Sequence, residues 1–199
     1  MIISIASKYV SRLTPTGLIY CGLKRLNPAK DPFQLSWGFD QAFLVTAIAV
    51  VALRFIDEWR CWDLTPIYAY LSIIPISRCI EIPFGFFSDL IDKVHEDFNA
   101  QKPGTGKRMA LSILVYFESI LNYALLYHLI PEKQWLYQDT HLSLSMLDSL
   151  YFSVVTISTL GYGDITPAGD MSKIVTICEV TTSLVIIAIS FAIYAGSKK

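Results

Sequence analysis

The stretch that decides the fold is DSLYFSVVTISTLGYGDITPAGD, residues 148–170. It lies between two long apolar stretches, so we expect it at membrane depth. Residues 145–157 predict an apolar helix that is too short to cross the ~30 Å of hydrocarbon in a bilayer, and Gly161 and Gly163 follow without a helical pattern. Irregular backbone at membrane depth is tolerated only where protein buries it or where it lines a water-filled path. The stretch therefore needs a reason for its exposed backbone carbonyls.

The flanking stretches, residues 109–130 and 172–195, are both predicted to span the bilayer. A spanning helix takes about 20 predominantly apolar residues. The first stretch contains Glu118 and His128 as its ionisable groups, and the second contains Lys173 and Glu179. Together with the short helix between them, they predict a helical module over residues 109–199.

Two earlier stretches within residues 35–80 are weaker candidates for transmembrane helices. Residues 35–56 have an apolar centre that follows Asp40. Residues 64–80 contain Pro66 and Pro75, which remove backbone donors and bend or break helices, so this stretch is either a kinked span or a re-entrant segment. One or two further hydrophobic helices are therefore expected before the module.

The remaining segments are predicted to lie at the membrane surface. Residues 1–34 form a cytoplasmic or interfacial N-terminal segment, and residues 81–108 form an amphipathic interfacial linker. The linker's apolar residues recur at helical spacing, as Phe87, Leu90, Ile91, Val94 and Phe98. Trp135 and Tyr137 are interpreted as anchors at the membrane interface.

Composition agrees with a membrane protein and excludes several soluble classes. Hydrophobic residues make up 53% of the 199 residues and charged residues 17%, with a net charge of -1. So few charges argue against a soluble enzyme, and the absence of a basic excess argues against a nucleic-acid binder. The four cysteines form no CxxC pair, so neither a zinc site nor a disulfide framework is indicated.

The basic residues orient the chain. With both termini cytoplasmic, every lysine and arginine lies inside except four, which are Arg54, Arg60, Lys133 and Lys173. The positive-inside rule favours this orientation over its inverse. We therefore expect a multi-pass protein of the plasma membrane or the cell inner membrane, in contact with membrane lipid.

A permeating cation would give the exposed carbonyls of residues 159–162 a role. Carbonyls point toward one axis only if ordinary and left-handed dihedrals alternate, and Gly161 and Gly163 adopt left-handed dihedrals without a Cβ penalty. The C-terminal end of the preceding helix carries partial negative charge, which favours a cation. One strand offers too few oxygens to replace a hydration shell, so several copies must meet around the axis.

The same residues resemble a known family. Thr159-Leu160-Gly161-Tyr162-Gly163-Asp164 is similar to the TVGYG selectivity filter of potassium channels, with leucine in place of valine. YFSVVTISTLGYGDITP is similar to the pore helix and filter of single-filter channel subunits. The resemblance implies that residues 109–199 are the pore domain of a homotetramer that conducts K⁺ passively.

The resemblance also implies roles for individual residues. The carbonyls of Thr159, Leu160, Gly161 and Tyr162 would bind K⁺, and Gly163 would complete the filter. Thr156 and Asp164 would support it, Asp164 at the outer mouth. No enzyme activity, cofactor or small-molecule substrate is predicted, since K⁺ is only the permeant ion.

Three departures from the family's pattern concern gating and filter support. Ser183 stands where many such channels have a glycine hinge, so a hinge is doubtful. Val155 stands where some relatives have an acidic residue, so Asp164 must find another partner. The chain also lacks the regular arginine ladder of a voltage sensor, because its arginines at 54, 60 and 78 are isolated in the sequence.

Glu118 and Glu179 lie within spans, where an ionised acid costs about 2.5–3.5 kcal/mol on insertion scales. Each is either a structural contact to a Ser, Thr or Asn of a neighbouring helix or, together with Ser183, part of a gating element. Asn122 is a candidate partner for Glu179.

Three other functions stay open at this point. A nonselective cation channel and a non-conducting partner subunit would carry the same segment. Gly161-Tyr162-Gly163-Asp164 also fits the GxGD motif of intramembrane aspartyl proteases. That chemistry requires a second carboxylate at the same site, and no second aspartate lies in either strong span.

Overall fold

The computed structural model describes residues 14–26, 32–60, 73–94, 105–137 and 140–195. These residues form an all-α membrane protein. Its helices in chain order are α1 (Pro15–Leu26), α2 (Pro32–Arg60), α3 (Ile73–Val94), α4 (Thr105–Leu129), α5 (Met146–Ile157) and α6 (Asp170–Ala195). A 3-10 turn, Glu132–Gln134, and two short strands, β1 (Trp135–Tyr137) and β2 (Ile165–Pro167), complete the described structure.

Three of the described helices are long and apolar enough to cross a membrane. They contain the candidate spans Gly38–Asp57 in α2, Gly106–Leu129 in α4 and Asp170–Phe191 in α6. The two strong predicted spans and the first of the weaker ones therefore have helical counterparts. The shorter apolar helix Met146–Ile157 lies between the last two, as expected.

Of the second weaker stretch, residues 73–80 lie within the described residues. The described helix α3 begins at Ile73 and continues to Val94, so the predicted boundary between residues 80 and 81 falls inside one helix. Pro75 does not break α3, because it lies in the first turn, where backbone N–H groups have no helical partner. Residues 64–72 and 95–104 lie outside the described residues, as does Phe98 of the predicted stripe.

The N-terminal segment contains a helix that the sequence reading did not assign. Pro15 occupies the first position of α1, where a proline's missing N–H and fixed φ suit a helix start. The Thr16 hydroxyl on α1 donates to Glu81 of α3 over 2.6 Å, which ties the two helices together. Residues 1–13 lie outside the described residues.

Helix α4 is central and contacts α2, α3, α5 and α6. An aromatic cluster packs at its C-terminal end, where the Trp135 ring meets Tyr127 edge-on at 5.4 Å and Phe152 at 5.1 Å between centroids. Trp135 is fully buried, so its interpretation as an interface anchor is wrong. Strand β1 turns this side chain into the protein, while Tyr137 at the end of the strand is exposed.

The two strands pair in antiparallel fashion, with Leu136 opposite Thr166. This pairing joins the loop after α4 to the segment after residue 164. Gln134 adds to the junction, since its backbone carbonyl accepts from the backbone N–H groups of Ala168 and Gly169 and its side-chain Oε1 accepts from Met171. The start of α6 is thereby fixed to the end of α4.

Candidate functional site

Helix α5 positions the start of the irregular segment that follows it. Ser145 caps the helix in a capping box: its hydroxyl accepts from the Asp148 backbone N–H at 3.1 Å, and the Asp148 carboxylate accepts from the Ser145 backbone N–H at 3.2 Å. The helix ends at Ile157, and the Val155 carbonyl accepts from the backbone N–H groups of Leu160 and Gly161. The predicted helix over residues 145–157 is thus confirmed.

The backbone of residues 159–163, which we call the candidate filter, alternates in handedness. Thr159, Gly161 and Gly163 have φ values of 59°, 55° and 79°, and within the described residues Thr159 is the one non-glycine with positive φ. The predicted left-handed dihedrals of the two glycines are confirmed. Thr159 was not foreseen there, and a left-handed conformation costs a non-glycine residue about 1–2 kcal/mol.

The candidate filter lies on the surface of the single chain. Leu160 and Tyr162 are 60% and 68% exposed. A Cβ built on Gly161 or Gly163 would meet no heavy atom within 4 Å in the described part of the chain. The need for glycine at both positions therefore comes from backbone dihedrals and not from crowding within one copy.

Asp164 has a hydrogen-bond partner other than residue 155, as expected from the valine at that position. The Tyr151 hydroxyl donates to Asp164 Oδ2 over 2.8 Å. This hydrogen bond raises the pKa of Tyr151 above the ordinary value of a phenol. Tyr151 lies one helical turn before Val155, on the same face of α5, and this spacing is the signal by which the sequence could have identified it.

The comparisons with known proteins agree with this geometry. Residues 111–196 match a family described as "Ion channel". Curated relatives include "Two-pore potassium channel 4" of Arabidopsis thaliana, 54% identical over 39 residues, and "Potassium channel subfamily T member 1" of Homo sapiens, 41% identical over 49 residues. "Potassium channel K2" of Plasmodium falciparum (isolate 3D7) is 45% identical over 47 residues.

The family match and the three curated relatives support a potassium-channel pore family for residues 111–196. This is a family of ion channels and not of enzymes. The three alignments cover 20%, 25% and 24% of this chain but only 14%, 4% and 3% of the relatives, so the chain spans a small part of their length. No solved structure matches the chain.

Glu179 of α6 is fully buried and contacts α5, the helix that corresponds to the pore helix. Its carboxyl group contacts two hydroxyls, Tyr127 Oη and Ser153 Oγ, each at 2.5 Å. The expected serine contact is therefore present, whereas Asn122 is not the partner. Asn122 Nδ2 instead donates to Glu118 over 3.5 Å, because both lie on α4 one turn apart.

Glu118 is bound by an arginine from outside the pore family match. Arg78 of α3 donates from Nε and Nη2 to the two carboxylate oxygens at 2.6 and 2.9 Å. Arg78 Nη2 also lies 2.6 Å from Asp40, and its Nη1 lies 3.5 Å from Glu81. The fold thus brings four charged residues together, the Arg78 cluster of Asp40, Arg78, Glu81 and Glu118.

The last two predicted residues make local backbone contacts. The Thr156 carbonyl accepts from the Thr159 N–H at 3.0 Å, which helps to turn the chain into the candidate filter. Ser183 is fully buried and its hydroxyl donates to the Val180 carbonyl at 2.8 Å. Helix α6 continues without interruption through Ser183 from Asp170 to Ala195.

Proposed function

We propose that this protein is a potassium-selective channel that conducts K⁺ passively through a filter of backbone carbonyls. The carbonyls of Thr159, Leu160, Gly161 and Tyr162 are the proposed ligands, and Gly163 completes the segment. The observation that carries the proposal is the alternation of handedness at positions 159, 161 and 163.

This alternation supports coordination because it lets successive carbonyls face one side of the chain. One chain supplies too few oxygens to replace the hydration shell of K⁺. The candidate filter's exposed position supports its meeting with three other copies around a fourfold axis, in a homotetramer embedded in lipid. The partial negative charge at the C-terminal end of α5 would favour a cation near that axis.

The supporting and gating roles are proposals of the same kind. Asp164 holds the outer mouth through Tyr151, and Thr156 supports the turn at the inner end. Glu118, Glu179 and Ser183 are the proposed gating residues. The proposed organisation has an interfacial N-terminal segment over 1–34, further transmembrane helices within 35–80, an interfacial linker over 81–108 and the pore domain over 109–199, with both termini cytoplasmic.

Reconstitution into liposomes tests the proposal, with K⁺ and Na⁺ flux measured separately. We expect K⁺ flux in clear excess over Na⁺ flux. Gly163→Ala should abolish or degrade this preference, because its φ of 79° penalises a Cβ. Gly85→Ala is the matched control, since Gly85 lies within helix α3 and a Cβ there has open space.

Three outcomes would overturn the proposal. Equal K⁺ and Na⁺ permeability would identify a nonselective channel. Absence of flux at every pH and voltage would favour a non-conducting partner subunit. An unchanged ion preference in Gly163→Ala would show that residues 159–163 are not the filter.

A further inference from the structure

The buried carboxyl group of Glu179 joins three helices of the pore module. Glu179 lies on α6, Tyr127 on α4 and Ser153 on α5. Ser153 Oγ has a second contact, to the backbone carbonyl of Ile120 on α4 at 2.9 Å. We call this row of groups, from Tyr127 through Glu179 and Ser153 to the Ile120 carbonyl, the Glu179 chain.

Counting hydrogens in the Glu179 chain determines its protonation. The three oxygen–oxygen contacts, at 2.5, 2.5 and 2.9 Å, each require one hydrogen. The Tyr127 and Ser153 hydroxyls supply one hydrogen each, and the Ile120 carbonyl supplies none. If each contact is a separate hydrogen bond, the third hydrogen comes from the Glu179 carboxyl group.

The electrostatic surroundings agree with this count. Within the described residues, the ion pairs join Arg54 to Asp57 and Arg78 to the acids of its own cluster, and none of them includes Glu179. The burial of an ionised carboxylate without a paired cation is costly, and such a group takes up a proton instead. Glu179 therefore has two hydroxyl neighbours that suit a neutral acid and no counter-ion that suits a charged one.

We propose that Glu179 is a protonated, uncharged acid that positions helix α5 against α4 and α6. Tyr127 donates to Glu179 Oε2, Glu179 Oε1 donates to Ser153 Oγ, and Ser153 donates to the Ile120 carbonyl. Every hydrogen in the chain then has one acceptor. The polarity of the row is fixed at its far end, because a carbonyl can only accept.

The position of Ser153 links this chain to conduction, and this link rests on the proposed function. Ser153 is buried at the centre of α5, six residues before Thr159. A rotation or a shift of α5 along its axis would move the start of the candidate filter with it. Glu179 is thus a positioning residue, acting on the filter through α5.

Within the described part of the chain, the other titratable groups near Glu179 are one thiol and three phenols. They are Cys79 of α3 and, on α4, Tyr116, Tyr123 and Tyr127. Cys79 and Tyr123 are buried in the cluster that packs against α6. Among the described residues, no second carboxylate hydrogen-bonds to Glu179, so one proton satisfies the chain.

Infrared spectroscopy of the purified protein tests the protonation without any need for ion flux. The spectrum of the native protein minus that of Glu179→Gln should contain the C=O stretch of a protonated carboxylic acid at neutral pH. The matched control is native minus Glu118→Gln, which should contain carboxylate bands because Glu118 is ion-paired. Carboxylate bands in the Glu179 difference spectrum would overturn the protonation claim, whatever the channel conducts.

Flux measurements test the positioning role. Glu179→Gln should keep native K⁺ over Na⁺ preference within about twofold, since a glutamine amide donates to Ser153 and its oxygen accepts from Tyr127. Glu179→Ala should lower the preference about tenfold, as loss of a buried hydrogen bond allows. Both are compared at equal amounts of folded protein.

Two results separate this inference from its alternatives. If glutamine lowers the preference as much as alanine does, a neutral side chain with the same hydrogen bonds is not sufficient and the proposal fails. If alanine leaves the preference unchanged while Gly163→Ala lowers it, the filter proposal stands and the positioning role is wrong. Ser153→Ala keeps Glu179 itself and should repeat the alanine result, which guards against a folding defect specific to position 179.

Discussion

Two fully buried glutamates lie on helices that pack against each other, and their surroundings favour opposite charge states. Glu118 on α4 accepts two hydrogen bonds from the Arg78 guanidinium and belongs to a cluster of one cation and three acids. The carboxyl group of Glu179 on α6 contacts two hydroxyl oxygens, those of Tyr127 and Ser153. The first arrangement needs a charged carboxylate, and the second needs a neutral one.

The difference shows how the two halves of the chain depend on each other. The Glu179 chain draws all its groups from residues 111–196, the part that matches the ion-channel family. Glu118 lies in the same part, but its counter-ion comes from α3 and a further acid of its cluster from α2. The N-terminal helices are therefore bound to the pore module by charge as well as by packing.

The largest expected effect is the loss of the Arg78 guanidinium. Arg78→Met should lower the free energy of unfolding by about 3–5 kcal/mol, because it leaves buried carboxylates without a cation. Unfolding in detergent micelles, followed by circular dichroism, measures the change. Lys173→Ala, at an exposed position of α6, is the control and should change little.

A double variant distinguishes the ion pair from simple packing. Arg78→Met combined with Glu118→Met removes both partners of the closest pair, so its cost should be smaller than the sum of the single variants. Strictly additive costs would mean that Arg78 and Glu118 do not stabilise each other, which would contradict the assignment of Glu118 as an ion-paired carboxylate.

The next effect in size comes from making the same conservative change at both glutamates. Glu118→Gln should cost about 1.5–3 kcal/mol, since it replaces a charged acceptor and turns an amide donor toward the guanidinium. Glu179→Gln should cost less than about 1 kcal/mol, because the amide reproduces both hydrogen bonds of a neutral acid. Equal costs at the two positions would contradict the claim that Glu118 is charged and Glu179 is neutral.

Local sequence patterns predicted the parts of the molecule that depend on local interactions. The short helix over residues 145–157, the apolar runs of the spans and the glycines at 161 and 163 depend on residues close together in the sequence, and all three appear in the fold. The candidate filter also carries a family resemblance over consecutive residues. For these features, chain order alone contains the needed information.

Contacts between residues far apart in the sequence could not be predicted from local patterns. Arg78 and Glu118 are 40 positions apart, and Tyr127 and Glu179 are 52 apart. The residues that flank each of these side chains in the sequence do not identify its partner, and the prediction of Asn122 as the partner of Glu179 is therefore wrong. The prediction of Trp135 at the membrane interface is wrong for the same reason, because the rings that bury it come from other segments. Helix packing alone brings these groups together, which is why the electrostatic comparison requires the structure.

The smallest effect concerns the carboxylate of Asp164, whose hydrogen bond from Tyr151 is exposed. The hydrogen bond to Asp164 raises the pKa of Tyr151, so its contribution is complete below the ordinary phenol pKa of about 10 and is lost as pH rises through the raised value. Asp164→Asn should return the pKa of Tyr151 toward the ordinary value. Titration of tyrosinate absorbance measures this change, with Tyr151→Phe identifying the transition among the 11 tyrosines. An identical titration in the native and Asp164→Asn proteins would show that the exposed pair has no electrostatic coupling, in contrast to the buried ion pair of Glu118 with Arg78.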